Sequence, residues 1–147
     1  MNVLSLCDGI RCGRIALDRA GIKIDKYYSS EIDKYANQVG RKHYPDTIEL
    51  GDMTKWDSWN IDWASIDLVI GGTPCQSFSV AGNQKGFNGK SGLFFEFADI
   101  VHNVILYNPK ALFLLENVVM KKEWQDVISK IMGVEPIGIN SALVSGQ

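Results

Sequence analysis

The sequence predicts an α/β domain built on a doubly wound, mainly parallel sheet. Short apolar β-type runs alternate along the chain with longer stretches of helical pattern. Several of these runs end in glycine-containing or acidic turns, the punctuation expected at strand ends that face a ligand. The 147 residues are 46% hydrophobic and 22% charged, which suits one globular domain and neither a disordered tail nor a fibre.

The first strand is expected over Val3–Leu6, followed by the turn Asp8-Gly9-Ile10-Arg11-Cys12-Gly13. A helix carrying Ile15, Ala16, Leu17 and Ala20 follows and stops at Gly21, a good capping residue. The second strand falls near Lys26 to Ser30 and closes on Glu31, with a helix from about Ile32 to Arg41. A weak third strand sits near Thr47 to Leu50. Trp56, Trp59 and Trp63 then pack a short helix onto the core; stacking on bases is the less natural reading. Ile66–Ile70 is the fourth strand, stopped by Gly71-Gly72. Ala111–Leu115 is the fifth, apolar enough for a strand covered on both faces. Alternation and right-handed crossovers give five or six strands with order 3-2-1-4-5 at the centre and helices on both faces. No repeat, low-complexity tract or composition shift marks a second domain, so residues 1–147 are taken as one.

Fifteen basic against seventeen acidic side chains give a net charge of −2, so a strongly basic nucleic-acid footprint is absent. No apolar run approaches the roughly 20 residues of a bilayer span, and Asp8 and Arg11 break any secretory leader pattern. Three cysteines are too few for a disulfide framework, so a cytoplasmic protein is expected.

Three features follow the first three strands. The Asp8–Gly13 turn lets backbone amides approach a ligand, Glu31 stands where such folds place an acid on a ribose diol, and Gly51-Asp52-Met53 offers a short polar side chain to an adenine edge. Alone they mean a nucleoside-type cofactor, or ordinary turns and a cap. Gly71-Gly72-Thr73-Pro74-Cys75-Gln76 sets a cysteine just past the fourth strand, between a rigid proline and polar residues. A lone cysteine is more often core, yet this is poor company for a core residue and good company for a nucleophile. Cys7 and Cys12 lack that setting and read as structural, and their spacing matches no zinc pair. Leu115-Glu116-Asn117-Val118 brings a carboxylate to the same sheet edge, either as a junction cap or as an acid beside the thiol. The polar, glycine-spaced stretch from Thr73 to Gly92 is long enough to be functional, with Lys85 and Lys90 suited to phosphates.

Together these residues resemble the DNA (cytosine-5)-methyltransferases. Asp8-Gly9-Ile10…Gly13 is similar to the family's first motif, and Glu31 and Gly51-Asp52-Met53 to its cofactor positions. Pro74-Cys75-Gln76 resembles the nucleophile motif and Glu116-Asn117-Val118 the glutamate motif. Phe78-Ser79, Lys85-Gly86-Phe87 and Gly92-Leu93-Phe94-Phe95-Glu96 resemble the catalytic loop and the helix after it. Asn140-Ser141-Ala142-Leu143 is similar to the strand before the family's Gln-x-Arg-x-Arg motif. One departure is Cys7, at a position usually aromatic in the family.

The resemblance implies a Rossmann-like fold that takes S-adenosylmethionine on Asp8, Gly9, Ile10, Gly13, Glu31, Ile32, Asp52, Met53, Pro74 and Leu93. It implies catalysis by Cys75 and Glu116 on a cytosine flipped out of DNA, without a metal, in a prokaryotic or phage-encoded protein. Gln76, Ser79, Lys85, Lys90 and Asn117 would support the loop and substrate, with Asn117 orienting Pro74. The family's target-recognition domain and carboxyl-terminal helix are not among these residues. The expectation is therefore a truncated or split enzyme, completed by a second polypeptide or by self-association, with its last strand at an exposed edge. The competing expectations are a catalytically incomplete binder and an S-adenosylmethionine-dependent methyltransferase acting on RNA at cytosine C5 or on a small molecule.

Overall fold

The computed structural model describes residues 1–74 and 92–143. Five strands, β1 (Asn2–Leu6), β2 (Lys26–Ser30), β3 (Ile48–Glu49), β4 (Leu68–Gly72) and β5 (Leu112–Glu116), form one sheet in the order β3-β2-β1-β4-β5. All four pairings are parallel, as the alternating pattern requires. The register sets Leu6 beside Ser30 and Gly71, and Gly72 beside Glu116. The carboxyl ends of β1, β2, β4 and β5 therefore reach one edge together.

Among the described residues three α-helices connect strands, α1 (Cys12–Arg19), α2 (Lys34–His43) and α3 (Leu93–Tyr107), and a fourth, α4 (Lys122–Met132), follows β5. Helix α2 begins where the Asp33 carboxylate accepts from the amides of Tyr35 and Ala36, and it ends on Arg41, Lys42 and His43, complementing its dipole. Helix α3 buries Phe94, Phe97, Ala98, Val101 and Val104 at helical spacing. With Met132 of α4, this stripe covers the face that carries Leu4, Leu6, Tyr28 and Val69. Two 3-10 helices, Met53–Ser58 and Trp63–Ser65, close the same core through buried Trp59, with Trp63 stacked on it and meeting Trp56 edge-on. The tryptophans are packing residues, as their spacing indicated. The opposite face holds a smaller cluster, Val3, Tyr27 and Ile70, with Leu17 of α1 against it.

Three expectations are corrected, and α1 shows a burial pattern on which the sequence reading made no statement. Gly71 and Gly72 extend β4 instead of ending it, because Gly71 pairs with both β1 and β5 and Gly72 pairs with β5. Strand β5 is covered on one face only: Leu112 and Leu114 are 65% and 59% exposed, because no described helix covers that half of the sheet. Helix α1 turns Arg14 and Leu17 inward and leaves Ala16 and Ala20 exposed. Asn140–Leu143 forms no strand; Ser141–Leu143 is a 3-10 turn held by the Asn140 carbonyl and side chain.

One substitution tests the packing with a sign opposite to propensity. A mid-helix Gly→Ala change ordinarily stabilises by roughly 0.5–1 kcal/mol. At Gly40 of α2, however, a methyl carbon would sit 2.8 Å from Nε and 3.0 Å from Cγ of Arg11, a side chain with no exposure. Overpacking of this kind costs about 1–3 kcal/mol, so Gly40→Ala should lower the urea midpoint, measured by circular dichroism.

Candidate functional site

The turn after β1 is built around a buried cation. Arg11 adopts a left-handed φ of 74° and is wholly buried. Its Nη1 donates to the Gly9 carbonyl at 3.1 Å and lies 3.3 Å from Asp8 Oδ2. Its Nη2 donates to Asn37 Oδ1 at 2.8 Å and to Glu49 Oε1 at 3.3 Å. Asp8 Oδ1 accepts from the hydroxyls of Ser5 (2.6 Å) and Tyr27 (2.8 Å). The Asp8 side chain is thus spent beneath the turn, which revises its expected place against a cofactor. Neither Arg11 nor Asn37 was singled out in the sequence, because a charged side chain next to a glycine turn is ordinarily solvated.

Above the turn the surface is open. Gly9, at φ 58°, has nothing within 4 Å of where a Cβ would stand, and neither has Gly51 after β3, at φ 76°. Ile10 and Ile32, 48% and 74% exposed, offer apolar surface at the ends of β1 and β2. Glu31 Oε2 accepts from the Gly9 amide at 2.8 Å, and Oε1 accepts from the amides of Ile32 and Asp33, both at 2.8 Å. Three of the roughly four acceptor positions of a carboxylate are filled, leaving one. Asp52 caps the 3-10 helix through the Thr54 amide and hydroxyl, which hold its carboxyl below the usual range. Met53 is buried, its sulfur 3.4 Å from Cys7 Sγ, so its side chain packs instead of facing outward. Leu93 opens α3 and packs on the core, and Gly13 lies under Ile70.

At the ends of β4 and β5 the decisive feature is a missing side chain. A Cβ on Gly72 would stand 2.7 Å from Glu116 Oε2, so the bare glycine lets that carboxylate lie across the end of β4. Glu116 itself is exposed, in contrast to the buried acid that the apolar run suggested. Asn117 donates from Nδ2 to Thr73 Oγ1 at 3.3 Å and accepts at Oδ1 from the Val118 amide, so it ties the two strand ends together at Thr73, one residue before Pro74. Cys75, Gln76, Ser79, Lys85 and Lys90 lie outside the described residues.

The other two cysteines differ. Burial, then the Glu31 charge, pushes the Cys7 thiol up to about 11. Cys12, the first residue of α1, is exposed, so a structural role fits Cys7 alone. Among the described residues no cluster could hold a metal, and no helix is long and apolar enough to cross a membrane.

The open glycines, exposed isoleucines, part-free carboxylate of Glu31 and polar Asp52 fit an adenosyl group with a charged tail.

Two tests follow. The Glu116 carboxylate is the free end of an exposed chain, so Gly72→Ala should displace it with little loss of stability; a shifted carboxyl resonance in carbon NMR, with β1 and β2 unmoved, checks this. In a Cys75→Ser background at pH 8, a thiol reagent should label Cys12 and spare Cys7, whose thiolate is scarce. Since folding raises the Cys7 thiol from its ordinary value of 9.0 to about 11, the associated stability is intact below pH 9 and falls as pH rises from 9 towards 11, which thermal melts would register.

Comparison with known proteins agrees with this geometry. Residues 1–130 match the family model of the C-5 cytosine-specific DNA methylases. The orphan methyltransferase M.Rho11sI of Bacillus phage rho11s is 36% identical over 121 residues, 80% of this chain and 23% of the relative. The type II methyltransferase M1.ScrFI of Lactococcus lactis subsp. cremoris is 44% identical over 97 residues, 65% of this chain and 23% of the relative. The chain thus spans about a quarter of the length of the curated relatives it matches. In structure, a Spodoptera frugiperda DNMT2 mutant matches with a TM-score of 0.58 at 20% identity, over 89% of this chain and 39% of that one. The S. pombe Dnmt2 methyltransferase matches with a TM-score of 0.56 at 19% identity, over 88% and 39%. At such identity the likeness speaks for the fold, here the Rossmann-like sheet of methyltransferases. With the match covering most of its length, the chain belongs to the C-5 cytosine-specific DNA methylase family.

Proposed function

We propose that this chain carries the cofactor-binding and catalytic part of a DNA (cytosine-5)-methyltransferase. The observation that carries the reading is the convergence of the glycine turn, Glu31, Thr73-Pro74 and Glu116 on one sheet edge, with Cys75 next in sequence. In the cradle at β1 to β3, Gly9 and Gly51 would admit the ligand's backbone-close atoms, Ile10 and Ile32 would flank its apolar surface, and Asp52 would accept from an adenine amine. Bound there, S-adenosylmethionine supplies an electrophilic methyl carbon.

Cytosine C5 is a weak nucleophile, and the protein's task is to make it a strong one. The Cys75 thiolate adds to C6 while Glu116 delivers a proton to N3, so that electron density moves onto C5. Once C5 has gained the methyl group, with S-adenosylhomocysteine as the departing co-product, its proton passes to water, the bond from Cys75 sulfur to C6 breaks with the electron pair returning to sulfur, N3 gives its proton back to Glu116 and the ring recovers its unsaturation. The target atom is unreachable inside a duplex, so the base must be flipped out, with Lys85 and Lys90 on the phosphates. The bare end of β4 supports this assignment: Gly72 lets the Glu116 carboxylate lie over the strand that leads to the nucleophile. The remaining length of the relatives suits a further segment or polypeptide that reads the target sequence.

The test is covalent trapping. DNA containing 5-fluorocytosine cannot lose fluorine as it loses a proton, so the methylated adduct should persist. Peptide mass mapping is expected to place it on Cys75, and Glu116→Gln should slow trapping by about 10²-fold or more. An adduct on Cys7 or Cys12 would refute the assignment.

A further inference from the structure

A closed hydrogen-bonded ring runs beneath the open face of the turn. Arg11 Nη1 donates to the Gly9 carbonyl (3.1 Å), and the Gly9 amide donates to Glu31 Oε2 (2.8 Å). Asn37 Nδ2 donates to the Glu31 main-chain carbonyl (2.9 Å), and Arg11 Nη2 returns to Asn37 Oδ1 (2.8 Å). Arg11 is wholly buried and Asn37 is 8% exposed, so neither would touch a ligand. We propose that Arg11 and Asn37 are positioning residues for the cofactor: through this ring they aim the one free acceptor position of Glu31 at a ribose hydroxyl.

The geometry gives three reasons. The ring grips Glu31 at both ends, its carbonyl by Asn37 and its carboxylate by Gly9, so the side chain cannot swing without breaking a bond. Arg11 cannot slide either, because α2 passes against it at Gly40 and Asp8 and Glu49 hold its guanidinium. A planar fork is also the only cation that could serve Gly9 and Asn37 with separate nitrogens. Preorganisation of this kind raises affinity without adding a contact to the ligand.

The inference rests on the reading that Glu31 meets the ribose diol, and the experiment separates the two. Calorimetry compares S-adenosylhomocysteine with its 2′,3′-dideoxy counterpart on the chain, on Arg11→Met, on Asn37→Ala and on Arg14→Met. Arg14 is a buried arginine of α1, three positions after Arg11, that pairs with Asp46 and Thr47 outside the ring, so it controls for general loosening. A hydrogen bond to a charged group is worth about 1.5–3 kcal/mol, or roughly 10- to 150-fold in affinity. The unchanged chain should therefore prefer the diol by about 30-fold, and Arg14→Met should keep that ratio. In Arg11→Met and Asn37→Ala the ratio should fall below about 5-fold while the dideoxy ligand binds with little change. If Arg11→Met fails to fold, Asn37→Ala, which removes no buried charge, decides alone. A full diol preference in the folded ring variants overturns the inference, as does an equal loss in Arg14→Met. No diol preference in the unchanged chain overturns the reading of Glu31 and the inference with it.

Discussion

The β1–β3 side of the sheet depends on a guanidinium that has no water. Removing a cation from solvent costs several kcal/mol unless its partners are close and well directed. Arg11 has the Asp8 and Glu49 carboxylates, the Gly9 carbonyl and the Asn37 amide oxygen. Its left-handed backbone costs about 1–2 kcal/mol in a residue with a Cβ. Two or three charge-assisted hydrogen bonds, each worth a net 1.5–3 kcal/mol or so, exceed that strain. The bonds win, and the turn keeps a shape that a glycine would otherwise adopt freely. Asp8 extends the network to Ser5 and Tyr27, whose phenol is driven well above its usual range by burial and then by the Asp8 charge. One buried pair thereby locks β1, β2, β3 and α2 to each other.

The other half of the edge is shaped by subtraction. At Gly71 a Cβ would run into the Leu6 carbonyl of β1, and at Gly72 it would meet the Glu116 carboxylate. Strand β4 therefore carries two glycines where a buried parallel strand would normally carry branched residues. The gain is proximity: an acid from β5 and the chain leading to Cys75 share a space that one methyl group would fill. Asn117 and Thr73 then join the two strand ends by a side-chain bond that needs neither helix nor sheet.

Much of this was legible in the sequence, for identifiable reasons. Strand order follows from alternation and crossover sense, which short apolar runs such as Val3–Leu6 announce clearly. Glycine after a strand was read as a stop, which failed at Gly71 and Gly72 because tertiary pairing overrode local propensity. An apolar run cannot reveal whether a layer covers both sides, and so β5 was misjudged. The inner face of α1 is hidden in the sequence because arginine is ordinarily solvated, whereas Arg14 is buried against Tyr27 and Tyr44. The glycine turn, Glu31 and Glu116 were legible as types of residue at strand ends. The ring that holds Glu31 was not, since Asn37 and Arg11 are 26 positions apart and meet only when α2 folds back.

Glu31 shows how one charge serves several purposes at such an edge. Its carboxylate completes the turn by accepting from Gly9, and it starts the next segment by accepting from Ile32 and Asp33. Its field also helps keep the Cys7 thiol protonated. Cys7 directly follows β1, so the thiol next to the turn stays neutral. Burial does most of the suppression and Glu31 adds to it. A neutral residue at position 31 would lose the anchor for Gly9 and relax the restraint on Cys7 together. The acid is therefore tied both to the shape of the turn and to the protonation of Cys7.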